Sequence, residues 1–237
     1  MGECCSVMLT ANAGLAIQIG GKCVLVDALH RGGGEYSGVP KAAEEFVLNM
    51  NSLPDIVLAG HCHADHWSAE QWRAMRARFP EALFAAPVQE QGTTALNMPI
   101  HTLSRGGIKI EALRMPHQGT EYSDVANYAF WIESGGCAML ICGDSAIKQE
   151  LFGRWLLGRK CDVMAAPFPW LVLSRGRKII SGEIKPEHLL ICHLPAAKDD
   201  VNGYREKTEF AKSEYSQLAD IRLLTEPMQT ERLFLNN

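Results

Sequence analysis

Two stretches of this chain repeat one pattern, and the repeat limits the folds open to it. Apolar runs at 15–19 and 22–27 flank Gly20-Gly21, and apolar runs at 128–132 and 137–142 flank Gly135-Gly136. Paired glycines between β-type runs signal a two-residue hairpin, because the favoured turns need positive φ at one or both central positions. Each hairpin then runs into an aspartate, Asp27 in the first and Asp144 in the second. The pattern predicts a weak internal duplication, with two similar halves that each open on a β-meander.

Between these meanders, short β-type runs alternate with helix-like stretches, which predicts α/β layering. Helices are expected at 41–50 behind Pro40, at 205–219, and from Ser68 to the stop at Pro80. Ser68 and Gln71 read as a capping box, and Trp72, Met75 and Phe79 share one face of that helix. No Pro/Gly/Ser linker divides the chain, so one domain over 1–237 is expected. A hydrophobic share of 47% is enough for a sizeable core.

A net charge of -4 gives no basic field for nucleic acid or anionic membrane. No secretory leader is expected, and no apolar run approaches spanning length. Met1-Gly2 loosely fits a lipidation signal but reads as a disordered start. The eight cysteines form no CxxC pair, so neither a zinc knuckle nor a disulfide framework is expected. Cys23, Cys137, Cys142 and Cys192 read as small core hydrophobes, and the setting as reduced and cytoplasmic.

The chemistry concentrates at His61-Cys62-His63-Ala64-Asp65-His66, between the apolar run at 55–60 and the capped helix. That is a strand-to-helix turn at the carboxyl end of a buried strand, where α/β sheets place their sites. In extended backbone His61 and His63 point to one side and can share a metal. The turn that follows frees Asp65 and His66 for a second. Burying so many polar groups without partners would cost several kcal/mol, which argues against a core role. His117, Asp144 and His193 each end another apolar run, so several strands could deliver ligands to one sheet edge.

In this order, H-x-H-x-D-H at 61–66, His117, Gly143-Asp144 and His193, the chain resembles the metallo-β-lactamase-fold hydrolase superfamily. The resemblance implies a four-layer αββα sandwich with internal pseudo-duplication. It implies that His61, His63 and His117 hold one divalent ion, and that Asp65, His66 and His193 hold another. Asp144 would bridge the two ions, and Asp27 would orient a ligand histidine through its other ring nitrogen. Zinc is the first choice of metal, with manganese and iron also suited. The implied reaction is hydrolysis by a metal-bridging hydroxide, with Asp65 and Asp144 as catalytic residues and Asp65 passing a proton to the leaving group.

Histidines at 63 and 66 disfavour the flavodiiron branch but not a mononuclear-iron persulfide dioxygenase. The short tail after His193 disfavours a glyoxalase II-type helical domain. Leu194-Pro195 departs from the tRNA-processing nucleases. The expected substrate is therefore a small ester, thioester or lactone. A phosphodiesterase or ribonuclease, or the persulfide dioxygenase, is the alternative. Nucleic acid and membrane are not expected partners, and the sequence does not fix the oligomeric state. Candidate substrate-binding residues are His30 and Tyr36 around the glycine-rich stretch 31–38, read as a possible lid, with Trp67 and Trp170. The basic run 175–178 reads as a solvated helix face.

Overall fold

The computed structural model describes residues 3–235, with side chains from Cys5 onward, so the Met1-Gly2 signal lies outside the described residues. The first half runs β1 (Glu3–Ala11), β2 (Gly14–Ile19), β3 (Lys22–Val26), β4 (Gly32–Gly33), β5 (Tyr36–Ser37), α1 (Lys41–Asn49), β6 (Ile56–Leu58), α2 (Ala69–Arg78), β7 (Leu83–Ala86) and β8 (Thr94–Ala95). The second runs β9 (Ile100–Arg105), β10 (Ile108–Met115), β11 (Asn127–Ser134), β12 (Cys137–Ile141), α3 (Gln149–Trp155), β13 (Val163–Pro167), α4 (Pro169–Val172), α5 (Ser174–Ile179), β14 (His188–Cys192), α6 (Tyr204–Glu214), β15 (Asp220–Leu223) and β16 (Thr230–Phe234).

Two seven-stranded sheets result, in the orders β16-β1-β2-β3-β6-β7-β8 and β9-β10-β11-β12-β13-β14-β15. In each sheet the first three pairings are antiparallel and the last three parallel. This is the duplication that the repeated hairpins predict, now visible strand by strand. Only β16 breaks the division by sequence, returning from the C-terminus to cover the edge of the first sheet.

Three buried clusters separate four layers. Ile17, Val24, Ile56, Phe130, Met139 and Leu190 fill the space between the sheets. The alternate residues of the same strands face outward, as the two-residue period of a strand requires. Leu25 and Val57 meet Val47 of α1 and Trp72 and Met75 of α2. Trp131, Leu140 and Leu189 meet Phe152 of α3, Trp170 of α4 and Ile179 of α5.

The two Gly-Gly turns sit where predicted, between β2 and β3 and between β11 and β12. They also touch each other. Gly20 and Gly135 have φ of 56° and 58°. A Cβ on Gly20 would stand 2.6 Å from the amide nitrogen of Gly135, and one on Gly135 would strike the Gly20 backbone. Glycine is required there twice over, for the turn and for the approach.

Two local expectations need correction. Ser68 caps α2, accepting from the Gln71 N–H, but the Gln71 side chain donates to Glu44 Oε1 at 3.1 Å instead of reaching back. The capping box is therefore half formed, because α1 offers a carboxylate within reach. Cys23, Cys142 and Cys192 are free buried thiols, whereas Cys137 is disulfide-bonded and not simply a core hydrophobe. No helix among the described residues is long and apolar enough to cross a membrane.

Candidate metal centre

Strand ends build the site. His61, His63, Asp65 and His66 lie on the turn after β6, which closes through His66 N–H and Trp67 N–H to the His63 carbonyl at 3.0 and 2.9 Å. His117 follows β10 and Asp144 follows β12. The two segments bridge at His117 and Ser145, and the Gln118 N–H donates to the Asp144 carbonyl at 2.8 Å. His193 follows β14 with φ 57°, and its N–H donates to the Asn12 carbonyl at 2.9 Å. All seven residues singled out as ligands come together; His61, His117, Asp144 and His193 each follow the end of a strand, and His63, Asp65 and His66 lie further along the turn after β6.

Their ligand atoms fall into three overlapping groups: His61, His63 and His117; His61, His66 and Asp144; and Asp65, His66 and His193. In the first group, His61 Nε2 lies 3.1 Å from His63 Nδ1 and 3.3 Å from His117 Nε2. Ligands about 2.0–2.1 Å from a tetrahedral cation stand about 3.3 Å apart, so these atoms have the spacing of a coordination shell. Asp144 reaches both sides, with Oδ2 3.5 Å from His117 Nε2 and 3.4 Å from His66 Nε2, and Oδ1 3.2 Å from His193 Nε2. His66 Nε2 and His193 Nε2 are 3.0 Å apart. One N–H on His61 Nε2 could not satisfy His63, His117 and Asp144 together, whereas a cation accepts several lone pairs at once.

The electrostatics agree with that fit. Burial drives His61 and His117 toward the neutral, lone-pair-bearing form. Burial also opposes charge on His66, but Asp144 and Asp27 outweigh it and hold the imidazole well above its ordinary value. Burial likewise opposes charge on Asp144, while His193 and His66 hold its carboxyl well below the usual range. The site thus calls for positive charge among buried carboxylates, which a proton or a metal cation can supply.

Asp27 stands behind the ligands. Its Oδ2 accepts from His66 Nδ1 at 2.8 Å, and its Oδ1 accepts from the Gly60 N–H at 2.8 Å. The second carboxylate oxygen locks the first in place, so the ring it holds is fixed too. Asn12, which the sequence reading did not single out, plays a similar part. Its Nδ2 lies 3.2 Å from Asp65 Oδ2, and it is the residue whose carbonyl holds His193. Its φ of 54° places it in a tight turn, and Asn-Ala-Gly at 12–14 is a turn signal.

The ligand atoms open into a cleft of about 530 Å³. Tyr36 and Trp170 line it. The Tyr36 ring stands edge-on to His193 at 4.4 Å, and burial raises its phenol. Tyr122, also unforeseen, borders the cleft edge-on to His63 and His117 at 5.0 and 4.9 Å. His30 and Trp67 do not line the cleft. His30 is fully buried with Nε2 donating to the Ala11 carbonyl, and Trp67 packs on the core beneath α1 and α2. The turn at 61–66 swings Trp67 away from the opening.

The glycine-rich stretch is a hairpin of β4 and β5, not a free loop. Gly32 N–H donates to the Ala64 carbonyl at 3.0 Å, and Ser37 Oγ to Asp199 at 2.9 Å. In the basic run, Arg177 donates to the Leu171 and Val172 carbonyls and stacks 3.9 Å over Tyr215, which is a structural use of its charge.

No protein-family model matches the chain, and no curated protein matches it by sequence. Solved structures do match it by shape. A metallo-β-lactamase fold protein from Bacillus subtilis superposes with a TM-score of 0.65 at 15% identity, over 96% of this chain and 99% of that one. An isothiocyanate hydrolase from Delia radicum gut bacteria gives 0.68 at 15% identity, over 95% and 98%. The diiron β-hydroxylase CmlA from Streptomyces venezuelae gives 0.67 at 14%, over 98% of this chain but 55% of that one. The paired sheets, the layered helices and this likeness establish that the chain has the metallo-β-lactamase fold.

Proposed function

We propose that this protein is a binuclear metal-dependent hydrolase, with zinc the first choice of metal, acting on a small ester, thioester or lactone. The observation that carries the reading is the convergence of seven buried or half-buried ligand residues, of which His63, Asp65, His117, Asp144 and His193 line one cleft. His61, His63 and His117 would hold one cation, Asp65, His66 and His193 the other, and Asp144 both. Divalent cations at such a site supply Lewis acidity and lower the pKa of water toward neutrality.

The chain's own groups do the rest. Asp27 keeps the His66 lone pair aimed inward, and Asn12 fixes Asp65. Asp65 lines the cleft and is placed to hold a proton for a leaving group. A cleft of this volume suits a small molecule. Among the described residues that line it, none is Lys or Arg, which favours acyl substrates over phosphodiesters and nucleic acid.

Metal analysis of native protein, joined to a panel of esters, thioesters, lactones and bis-p-nitrophenyl phosphate, tests the proposal. Two cations per chain and acyl turnover that stops on chelation are expected, and Asp144→Ala should lose a cation together with that turnover. Equal activity of metal-free protein would sink the reading. Iron loading with oxygen uptake on a persulfide would replace it.

A further inference from the structure

The cleft above the candidate ligands has an uneven character. One side is apolar, formed by Ile147, Pro167, Phe168 and Trp170. Phe168 also makes a tilted ring contact with Tyr204 at 4.7 Å. Tyr36 and Tyr122 stand over the two histidine groups. The charged groups on the lining, ligands apart, reduce to one: Glu35, half-buried at the hairpin tip. Asn202 donates to its Oε2 at 3.4 Å.

We infer that the cleft selects a substrate whose body is apolar and uncharged or cationic, and that Glu35 excludes anionic substituents. The physical case is direct. Asp65 and Asp144 would be taken up as ligands, so Glu35 is the one carboxylate on the lining left free to face a substrate substituent away from the cations. A carboxylate or phosphate on the substrate, remote from the reacting bond, would lose water, find no Lys or Arg, and face a like charge. An aryl or branched alkyl group would instead cover Phe168 and Trp170. A trimethylammonium group gains from Glu35 and from the tyrosine faces. This names what the proposed hydrolase acts on and so rests on that reading for the bond broken.

The test separates the two. Metal-loaded protein is titrated calorimetrically with three matched aryl ketones that cannot be hydrolysed, one neutral, one trimethylammonium and one carboxylate. The corresponding aryl esters are assayed in parallel. Binding of the carboxylate at least tenfold weaker than the neutral compound is expected, with the ester kcat/KM values in the same order. In Glu35→Lys the anionic-to-neutral ratio should rise at least tenfold, a comparison internal to each protein. Carboxylate binding as tight as neutral binding, or a ratio that Glu35→Lys leaves unmoved, would overturn the inference. Absence of ester turnover with the binding order intact would sink the hydrolase reading alone.

Discussion

Asp27 Oδ2 and His66 Nδ1 lie 2.8 Å apart, although 39 residues separate them in sequence. The contact joins the end of the first hairpin to the last ligand of the 61–66 turn. It fixes which nitrogen of His66 faces the cleft.

Replacing Asp27 by Asn should therefore weaken metal binding without removing a ligand. Gly60 and His66 both offer protons to Asp27, and an amide accepts at only one atom. Cation affinity should fall roughly 10- to 100-fold, measured by competition with a chromophoric chelator. Unchanged affinity would mean that His66 needs no such partner.

Asn12→Gly should act on one cation only. Glycine accepts the φ of 54° and keeps the carbonyl that holds His193, while removing the amide that touches Asp65. On the proposed two-cation reading, one of the two binding steps should lose roughly tenfold or more, and the other should keep its affinity. Calorimetric titration resolves the two steps. Equal loss in both would show a general disturbance of the turn.

The paired turns give a graded stability test. Gly20→Ala adds strain at positive φ and a clash with Gly135, for a cost of about 2–5 kcal/mol. Gly21→Ala has the same backbone handicap but open space around the new methyl, and should cost about 1–2 kcal/mol. Urea unfolding of both variants measures the difference. Similar costs would mean that the turn-to-turn contact yields freely.

Metal-free protein should lose stability as pH falls below about 6.5. Burial depresses His30 from 6.5 to about 4, and it also lowers His61 and His117. A depressed histidine is neutral in the fold, so unfolded chain takes up its proton first and acid favours unfolding. His66, raised, works the other way by holding a proton in the fold, and that stability is lost as pH rises through its folded value. Below 6.5 His66 is protonated in fold and unfolded chain alike and adds no slope, so the depressed histidines set the sign there. His30 alone accounts for on the order of 3 kcal/mol between pH 6.5 and 4. His30→Gln should flatten the fall in urea midpoint over that range, and an unaltered slope would assign the effect elsewhere.

Local signals in the sequence carried far. Glycine pairs announce turns through φ alone, and H-x-H-x-D-H compresses four candidate ligands into one bend, so both were legible without tertiary knowledge. The remaining ligands were readable because each closes an apolar run. What escaped was orientation across the fold. His30 and Trp67 have residue types suited to a pocket, but whether they face it depends on how the 61–66 turn leaves the sheet. Asn12 and Tyr122 have the opposite history: a turn asparagine and a tyrosine in a single helical turn carry no mark of partners more than fifty residues away.

The contact between Gly20 and Gly135 has a mechanical side. The turns stand at the ends of β3 and β12 opposite to Asp27 and Asp144, which follow those strands at their other ends. Backbone touching backbone makes a pin there, with no side chain to compress. Any rocking of one sheet on the other pivots about that pin, so its amplitude grows along the strands and is greatest where the cations and their guest would sit.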